Sequence, residues 1–409
     1  MNIFLVNDLK KPAESAFEVL ERKGRGHPDT LSDRLAEKLS CSYSELTRQQ
    51  TGTILRHQFD KLTLMGGKCD VRFAGGHFVS PVRLLINGRA SPKLGDKIVH
   101  FRDLLYETAS TFLEAELRNF DFLSNCRVIL ETTSNSTRGM LDVQHQGTSP
   151  VHFRFKPRTL EDLPEYTRPL ANDTALGCAW APYSPLELVV LGIEKSLTSD
   201  EARIEHPWLG SDVKIMASRI VDQVRLTVSI PQVSTAVSSI AEYNGNSQKI
   251  LSIIERNIEE HSDFHDVHVT LNPGDDPTQE LVYLRYTGSC VESGDEGQVG
   301  RGNRIGGVIS ARRPFSIEGI NGKNSAYHAG KLYSVAAWDL ANRIWETYKT
   351  PCEVFIISQI DRPLDDPWTV IVNSEQPLPQ KEIDDIAMKI LTNPRNLTNN
   401  ILDGKYPLT

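Results

Sequence analysis

The sequence predicts an α+β fold. Short segments in which apolar residues alternate with polar ones, as at Val224, Leu226 and Val228, indicate half-buried β-strands. Longer segments carry apolar residues at helical spacing, as at Ile250 and Ile254. The strands come in pairs with helices between them rather than in strict alternation with helices. This order favours an α+β fold over a doubly wound parallel sheet.

Predicted strands and helices cover much of the chain. The strands are expected at residues 62–64, 79–86, 127–131, 213–216, 224–230, 267–271, 281–286, 354–357 and 369–372. The helices are expected at residues 29–48, 104–118, 185–197, 247–260, 325–348 and 380–391. Residues 147–169 have few apolar side chains and several basic residues and prolines. They are therefore interpreted as an exposed insertion or linker.

The composition is that of a globular protein. The 409 residues, of which 39% are hydrophobic and 24% charged, can bury a large core, so disordered and collagen-like classes are excluded. The formal net charge of -8 argues against a surface that binds nucleic acid as a whole. Any anion must be bound by a local cluster of cations, and no nucleic-acid partner is expected.

The cysteines and the apolar runs predict the compartment. The six cysteines form no Cys-x-x-Cys pair, and a chain of this length does not need disulfides. The apolar run at Ile3–Val6 is too short for a signal peptide, and no apolar run approaches the roughly 20 residues of a membrane span. The protein is therefore expected in the cytoplasm, with reduced thiols and no membrane contact.

Residues 301–331 carry a local excess of positive charge. Six cations and one acid, Glu318, give this segment a net charge of +5 in a protein of -8. The interspersed glycines allow left-handed turns in which neighbouring N–H groups face an anion. Arginine brings a planar fork to phosphate oxygens, and lysine brings a point charge. We interpret the segment as a phosphate-binding site; the alternative is a solvated basic surface loop.

Two common nucleotide-binding motifs do not fit this segment. Ile305 stands where the dinucleotide-binding pattern Gly-x-Gly-x-x-Gly requires its third glycine. Ile317 stands where a Walker A loop ending at Gly322 and Lys323 requires its first glycine. A nucleotide would therefore have to be bound in another way.

A second basic cluster, residues 22–29, opens the first predicted helix, where the helix dipole favours anions. Asp29 and Asp33 are four residues apart, so both point along one face of that helix. The alternative for Asp29 is ordinary helix capping, and the alternative for His27 is a histidine in a turn.

An acidic pair, Asp295 and Glu296, lies between two glycines just before the basic segment. Carboxylates beside phosphate-binding residues suggest Mg²⁺, which bridges carboxylate and phosphate oxygens. The alternative is a charged turn capped by glycines. The sequence contains neither a zinc-protease motif nor a serine-hydrolase motif.

Five features in chain order together resemble the S-adenosylmethionine synthetase family of the archaeal type. Each is a weak match alone, but they follow the family's order from about residue 21 to about residue 335. The matching residues are Gly26-His27-Pro28-Asp29; Pro169-Leu170-Ala171-Asn172-Asp173-Thr174 with Ala181-Pro182; Pro207-Trp208-Leu209 with Asp212 and Lys214; Gly294-Asp295 with Gly300-Arg301-Gly302-Asn303-Arg304; and Gly322-Lys323-Asn324 with His328-Ala329-Gly330-Lys331.

The resemblance implies a single unit, residues 1–409, of three similar interleaved α+β subdomains. Such chains usually pair as a homodimer with active sites between the subunits. The implied reaction converts ATP, L-methionine and water into S-adenosylmethionine, phosphate and pyrophosphate, assisted by Mg²⁺ and often K⁺. A thioether has no proton to remove, so the chemistry requires proximity and stabilisation of the leaving triphosphate rather than a general base.

The resemblance also assigns roles to residues by their position. The residues expected to act in catalysis are His27, Asp295, Arg301 and Lys323. The residues expected to contact ATP are His27, Asp212, Lys214, Asp295, Arg301, Arg304, Lys323 and Lys331. Asp173 and Asp295 are expected at the methionine, and Asp29 is expected to bind Mg²⁺.

One segment departs from the family's pattern. After the strand that ends near Glu131, the family usually has a Gly-x-Gly-Ser run, whereas residues 133–139 here read Thr-Ser-Asn-Ser-Thr-Arg-Gly. Two alternatives therefore stay open. The chain could be a divergent relative that uses ATP with another thioether or only cleaves a polyphosphate, or a non-catalytic nucleotide-binding subunit that regulates an active one.

Replacement of Lys323 tests the interpretation of the basic segment. Lys323→Ala removes one preorganised charge contact from the leaving triphosphate, so turnover should fall by on the order of 10²-fold or more. The rate of product formation from ATP and methionine measures the effect. Near-normal turnover in this variant would show that the segment is not the phosphate site.

Overall fold

The computed structural model describes residues 2–136 and 153–409. Its strands are β1 (Ile3–Val6), β2 (Phe17–Lys23), β3 (His57–Gln58), β4 (Thr63–Met65), β5 (Lys68–Arg72), β6 (Gly75–Ser80), β7 (Val82–Ala90), β8 (Lys93–Leu94), β9 (Lys97–Ile98), β10 (Cys126–Thr133), β11 (Leu176–Ala181), β12 (Lys214–Ile220), β13 (Gln223–Ser229), β14 (Gln232–Val233), β15 (Asp266–Leu271), β16 (Leu284–Arg285), β17 (Gly297–Gln298), β18 (Ile309–Ser310), β19 (Cys352–Ile357) and β20 (Thr369–Ser374). Its α-helices are α1 (Pro28–Thr51), α2 (Arg102–Glu116), α3 (Phe122–Asn125), α4 (Pro164–Thr167), α5 (Pro185–Thr198), α6 (Asp200–Glu205), α7 (Ile240–His261), α8 (Ala329–Tyr348), α9 (Gln380–Leu391) and α10 (Pro394–Leu402).

Three mixed sheets of four or five strands hold most of these strands in the described part of the chain. The first sheet has the order β1-β20-β19-β11, the second β10-β7-β4-β17 with β3 also on β7, and the third β15-β13-β12-β2-β18. In each sheet one edge strand runs parallel to its neighbour, and the other pairs are antiparallel. The three sheets therefore share one arrangement, and their strands are interleaved along the chain.

A pair of long helices packs against each sheet and buries a separate hydrophobic core. Helices α8 and α9 pack on the first sheet, α1 and α2 on the second, and α5 and α7 on the third. Ile250 and Ile254, which the sequence places on one helix face, are both buried in the third core. The predicted α+β class is confirmed.

The predicted helices are all present: the helix at 380–391 has the predicted bounds, and each of the others is shifted at one or both ends. The helix expected at 325–348 begins only at Ala329. The preceding residues form a turn instead, because the side chain of Asn324 accepts a hydrogen bond from the Ala326 N–H at 2.8 Å. The helix expected at 247–260 begins earlier, at Ile240, where the Ser239 side chain caps it.

The strand predictions are less complete. The strand expected at 281–286 is reduced to β16. The predicted strands also do not include β2, which has neighbours on both sides in the third sheet. The carboxylate of Glu18 in this strand is buried and accepts a hydrogen bond from Ser184 Oγ at 2.5 Å. That partner is distant in sequence, so local periodicity does not reveal it.

The described part of 147–169, which its composition predicts to be an exposed insertion or linker, carries both exposed and buried side chains. Residues 147–152 lie outside the described residues. In the remainder, Phe155, Leu163 and Glu165 are buried, and Leu163 joins the core beneath α1 and α2. Glu165 accepts two hydrogen bonds from Arg56, at 2.8 and 2.7 Å. The segment is packed because its partners come from elsewhere in the chain.

Two further expectations concern the cysteines and the membrane. All six cysteines lie within the described residues, and none of them is in a disulfide. Between residues 2 and 136 and between 153 and 409, no helix has both the length and the apolar character needed to span a membrane.

The Arg56–Glu165 pair allows a test of the packed segment. The two side chains are 7% and 3% exposed, so removal of the carboxylate leaves the guanidinium buried and unpaired. Glu165→Ala should lower the free energy of unfolding by about 3–5 kcal/mol, as measured in urea. In contrast, Asp339→Ala breaks a more exposed ion pair with Arg343 and should cost less than about 1 kcal/mol. Equal losses would contradict the burial of Glu165.

Candidate active site

Helix α1 begins at His27, beside the basic segment. His27 is in an extended conformation and is followed by Pro28 in the first turn, where a missing N–H costs no hydrogen bond. The Nδ1 atom of His27 accepts a hydrogen bond from the Asp29 N–H at 3.1 Å, which assigns the proton of the neutral ring to Nε2. Burial lowers the pKa of His27 to about 4. At neutral pH the ring therefore offers a ligand one N–H donor.

One face of α1 carries three carboxylates, each one helical turn from the next: Asp29, Asp33 and Glu37. Each carboxylate accepts a hydrogen bond from the backbone of residues 297–331, the basic segment with the four residues before it, which we call the glycine-rich segment. The bonds run from the Gln298 N–H to Asp29 Oδ1 (3.0 Å), from the Gly300 N–H to Asp33 Oδ1 (2.8 Å) and from the Gly322 N–H to Glu37 Oε2 (3.0 Å). This carboxylate row fixes the path of the segment.

The two arginines expected at ATP are placed differently. The side chain of Arg301 is exposed, and its carbonyl accepts a hydrogen bond from Lys23 Nζ at 2.7 Å. The guanidinium of Arg304 turns back on its own loop. Its Nη1 donates to the carbonyl oxygens of Gly300 and Gly302, at 3.0 and 3.3 Å. Arg301 thus faces outward, while Arg304 contacts the backbone on either side of Arg301.

The two lysines of the segment also differ. Lys331 is fully buried, and its Nζ donates to both oxygens of Glu37 at 2.6 Å and to the Lys323 carbonyl at 2.8 Å. The side chain of Lys323 contacts Glu318 and lies 3.9 Å from Asp60 Oδ2. Burial lowers the pKa of Lys323 to about 8, and the charge of Asp60 opposes that shift. Lys323 therefore contacts acids whose place a phosphate could take.

Asp173 lies on the side of the site formed by the first sheet. Its side chain is exposed, and its negative charge acts on Lys323. The carbonyl of Asp173 accepts a hydrogen bond from Ser358 Oγ at 2.8 Å. Its neighbour Asn172 accepts a hydrogen bond from the Ala329 N–H at the start of α8, at 3.0 Å. The structure thus brings Asp173 near Lys323, although 150 positions separate them in the sequence.

Lys214 reaches the site through strand pairing. It opens β12, which pairs with β2 in a register that places Lys214 opposite Lys23. Its side chain is about half exposed, and its Nζ lies 3.4 Å from Glu21 Oε1. The positive charge of Lys214 acts on His27 and helps to lower the pKa of that ring. The sheet therefore places Lys214 beside the start of α1.

Asp212 and Asp295 form a third group. Asp212 is buried, and its Oδ2 accepts a hydrogen bond from the Cys290 N–H at 2.7 Å. Burial raises the pKa of Asp212 to about 7, and the charge of Asp295 adds to the shift. The side chain of Asp295 is exposed. Of these two acids, Asp295 is accessible to a ligand, whereas Asp212 holds the backbone at residue 290.

A metal ion would need help from the substrate at this site. Within the described residues, no group of three or more His, Cys, Asp or Glu side chains is arranged to hold a metal. Mg²⁺ commonly uses one or two carboxylates and completes its shell with phosphate oxygens and water. The oxygens of Asp29 contact the Gln298 N–H and Lys23 Nζ, and each oxygen has a further lone pair. Asp29 therefore fits Mg²⁺ that arrives with a nucleotide.

Comparison with known proteins identifies the family. The pattern of the family described as S-adenosylmethionine synthetase (AdoMet synthetase) matches residues 2–405. The chain is 34% identical over 400 residues to the probable S-adenosylmethionine synthase of Aquifex aeolicus, with 96% of each chain covered. It is 33% identical over 415 residues to the S-adenosylmethionine synthase of Methanocaldococcus jannaschii, with 97% of each covered. The chain belongs to the S-adenosylmethionine synthetase family.

A solved structure agrees with this assignment at the level of the fold. An unusual S-adenosylmethionine synthetase from Campylobacter jejuni matches the chain with a TM-score of 0.56 and 13% sequence identity. The match covers 96% of this chain and 89% of that one. At such low identity the likeness shows that the two proteins share the synthetase fold.

Some residues that build this synthetase site were not assigned a role by the sequence. Asn303 pairs with the backbone of Lys23, accepting a hydrogen bond from its N–H at 3.0 Å and donating one to its carbonyl at 2.8 Å. Glu37 holds the Gly322 N–H. Glu37 continues the four-residue spacing of Asp29 and Asp33, so the helical period could have found it. Nothing local signals the pairing of Asn303.

The raised pKa of Asp212 predicts a pH dependence of stability. The carboxyl group ionises near its ordinary pKa of 3.8 in the unfolded chain and near 7 in the folded protein. Its contribution to stability is therefore fully present below the unfolded pKa and is lost as the pH rises through 7. Asparagine can also accept the Cys290 N–H, but it does not ionise.

Urea unfolding of the wild type and of Asp212→Asn at several pH values measures this effect. Between about pH 5 and pH 8, the stability of the wild type relative to the variant should fall by roughly 2–4 kcal/mol. The exposed Asp222→Asn should show no such trend. A constant difference between wild type and Asp212→Asn would contradict the raised pKa.

Proposed function

We propose that the chain is an ATP:L-methionine S-adenosyltransferase. The observation that carries this proposal is the arrangement of His27, Asp29 and Arg301 around the start of α1, in a chain of the synthetase family. In the proposed reaction, the methionine sulfur attacks C5′ of ATP. The triphosphate leaves whole and is then hydrolysed to phosphate and pyrophosphate.

The reaction places its main demand on charge. Attack by a neutral thioether forms a sulfonium and releases a highly charged triphosphate, so no proton has to be removed from the nucleophile. Arg301 and Lys323 would hold the triphosphate, and the neutral ring of His27 would donate its Nε2–H near the ribose. The backbone of Arg301 and the ring of His27 are held by hydrogen bonds before a substrate binds, which limits the reorganisation that binding requires.

The remaining assigned side chains would hold the two substrates in line. Lys214, next to His27, would contact the nucleotide, and Asp173, near Lys323, would face the methionine ammonium. The exposed Asp295 would lie between nucleotide and methionine. Such positioning contributes much of the rate enhancement when two reactants must meet in one geometry.

Ions, partners and compartment follow the same proposal. When bound at Asp29 together with the nucleotide, Mg²⁺ supplies positive charge to the phosphate oxygens. K⁺ is a possible second ion. The protein partner would be a second copy of the chain, with active sites between the subunits, and neither nucleic acid nor a membrane would take part. The enzyme would act in the cytoplasm.

The altered run at 133–139 supports a second candidate. A divergent enzyme could use ATP with another thioether or methionine analogue, or only cleave a polyphosphate. Thr133 ends β10, residues 134–136 continue from it without regular structure, and 137–139 lie outside the described residues. A non-catalytic nucleotide-binding regulatory subunit is less well supported, because such a protein has no chemical need for both the acids and the cations of this site.

Product analysis tests the proposal. The purified protein is incubated with ATP, Mg²⁺, K⁺ and L-methionine, and the products are identified by mass. S-adenosylmethionine, phosphate and pyrophosphate are expected. Triphosphate or pyrophosphate without S-adenosylmethionine would favour the divergent enzyme, and bound nucleotide without turnover would favour the regulatory subunit.

A matched pair of variants locates the chemistry. Arg301→Ala should lower kcat/KM for ATP by on the order of 10²-fold, as loss of one preorganised charge contact does. Arg312→Ala removes another exposed arginine of the same segment, whose guanidinium lies 3.9 Å from the centre of the Phe17 ring, and should leave turnover unchanged. Similar losses in both variants would mean that only the net charge of the segment matters.

A further inference from the structure

Three cations accompany the carboxylate row of α1, and each donates to a carbonyl of the segment that the row holds. Lys23 Nζ donates hydrogen bonds to Asp29 Oδ2 (2.8 Å) and to the Arg301 carbonyl (2.7 Å). Arg304 Nη1 donates to the Gly300 and Gly302 carbonyls (3.0 and 3.3 Å). Lys331 Nζ donates to Glu37 (2.6 Å) and to the Lys323 carbonyl (2.8 Å). The segment is therefore held by its N–H groups and by its carbonyl groups.

These hydrogen bonds to both kinds of backbone group determine which of them can face an anion. A carbonyl oxygen that faced a triphosphate would repel it, because both carry negative charge. The carbonyls of Gly300, Arg301 and Gly302 are instead bonded to cations of the protein. Their peptide dipoles are thereby oriented by fixed positive charges before any ligand arrives, which is how a preorganised site stabilises charge.

We propose that Lys23, Arg304 and Lys331 are positioning residues that act through this backbone, rather than ligands of the phosphates. This inference rests on the proposed function, since it concerns how the triphosphate is held. It changes the role that the family resemblance gives to Arg304 and Lys331. Within this segment, Arg301 and Lys323 would then make the direct contacts with the phosphates.

The burial of Lys331 supports this division of roles. An ammonium group has three N–H donors. In Lys331 they face the two oxygens of Glu37 and the Lys323 carbonyl, and the side chain has no exposed surface. A phosphate could reach this ammonium only by displacing Glu37, which also holds the Gly322 N–H. Lys331 therefore acts on Lys323 through the hydrogen bond to its carbonyl.

The position of Arg304 supports it independently. The two carbonyls that Arg304 bonds lie on either side of Arg301. Loss of the guanidinium would release both of these peptides and let the Arg301 side chain move away from its position. A displacement of about 1 Å at a reacting centre can cost on the order of 10²-fold in rate.

The experiment separates positioning from direct contact. Arg304→Met and Arg301→Ala are compared by amide hydrogen exchange of residues 298–303 in the ligand-free protein and by the Kd of inorganic tripolyphosphate. Arg304→Met should speed amide exchange at residues 300–303 by about tenfold or more and raise the Kd of tripolyphosphate. It should also lower kcat by roughly 10- to 100-fold, with KM for methionine unchanged. Arg301→Ala should raise the Kd of tripolyphosphate but leave amide exchange at residues 298–303 unchanged.

Two further variants address folding. Lys331→Met combined with Glu37→Gln avoids an unpaired buried charge and should speed exchange at residues 322–324. Arg304→Lys keeps a donor that can reach one carbonyl and should restore part of the lost kcat. Weaker tripolyphosphate binding by Arg304→Met with unchanged exchange would overturn the proposal, because it would identify Arg304 as a phosphate ligand. Unchanged exchange and turnover in this variant would overturn it as well.

Arg219 provides a matched control. Like Arg304, it donates to backbone carbonyls, those of Pro12, Ala13 and Ser15, at 3.0 to 3.1 Å. Arg219 is buried, however, and lies at the far end of β12 from Lys214. Arg219→Met should speed exchange near residues 12–15 and lower thermal stability, while kcat and tripolyphosphate affinity stay unchanged. If the wild type formed no S-adenosylmethionine, the proposed function would fail, yet exchange and tripolyphosphate binding would still test the positioning role.

Discussion

The site depends on one constraint, the row of carboxylates on α1. Asp29, Asp33 and Glu37 stand at the helical repeat, and each holds one backbone N–H of the glycine-rich segment. A helix is rigid, so the spacing of the row is transferred to the segment. A loop so rich in glycine has a high conformational entropy when it is free. The helix removes that freedom during folding, before a substrate binds.

The glycine-rich segment also joins the three mixed sheets. It enters through β17 in the second sheet, continues through β18 in the third and ends in α8, which packs on the first. Each sheet with its helices supplies part of the site. The second gives the start of α1, the third gives Lys214, and the first gives Asp173. Packing between distant parts of the chain therefore determines the distances between the side chains that we propose hold phosphate and methionine.

Electrostatic pairing explains why so many cations are needed. The segment has a charge of +5, but most of its cations already have partners. Arg313 forms a buried pair with Glu187, Lys331 pairs with Glu37, and Arg304 bonds its own backbone. These partners reduce the number of cationic side chains that can move toward a ligand. The side chains of such a site are therefore already ordered before a ligand binds.

The sequence by itself determined the fold class, the six long helices and the family, and it predicted candidate site residues around the start of α1. These follow from local periodicity and from motifs such as Gly26-His27-Pro28-Asp29, which carry their information in adjacent positions. Only the tertiary structure decided which cations face outward. Arg301 and Arg304 have the same chemistry in the sequence, and the difference between them is a matter of where nearby carbonyls point. The burial of Asp212, Lys331 and Glu165 was likewise decided by partners far away along the chain, because desolvation depends on everything that packs around a charge.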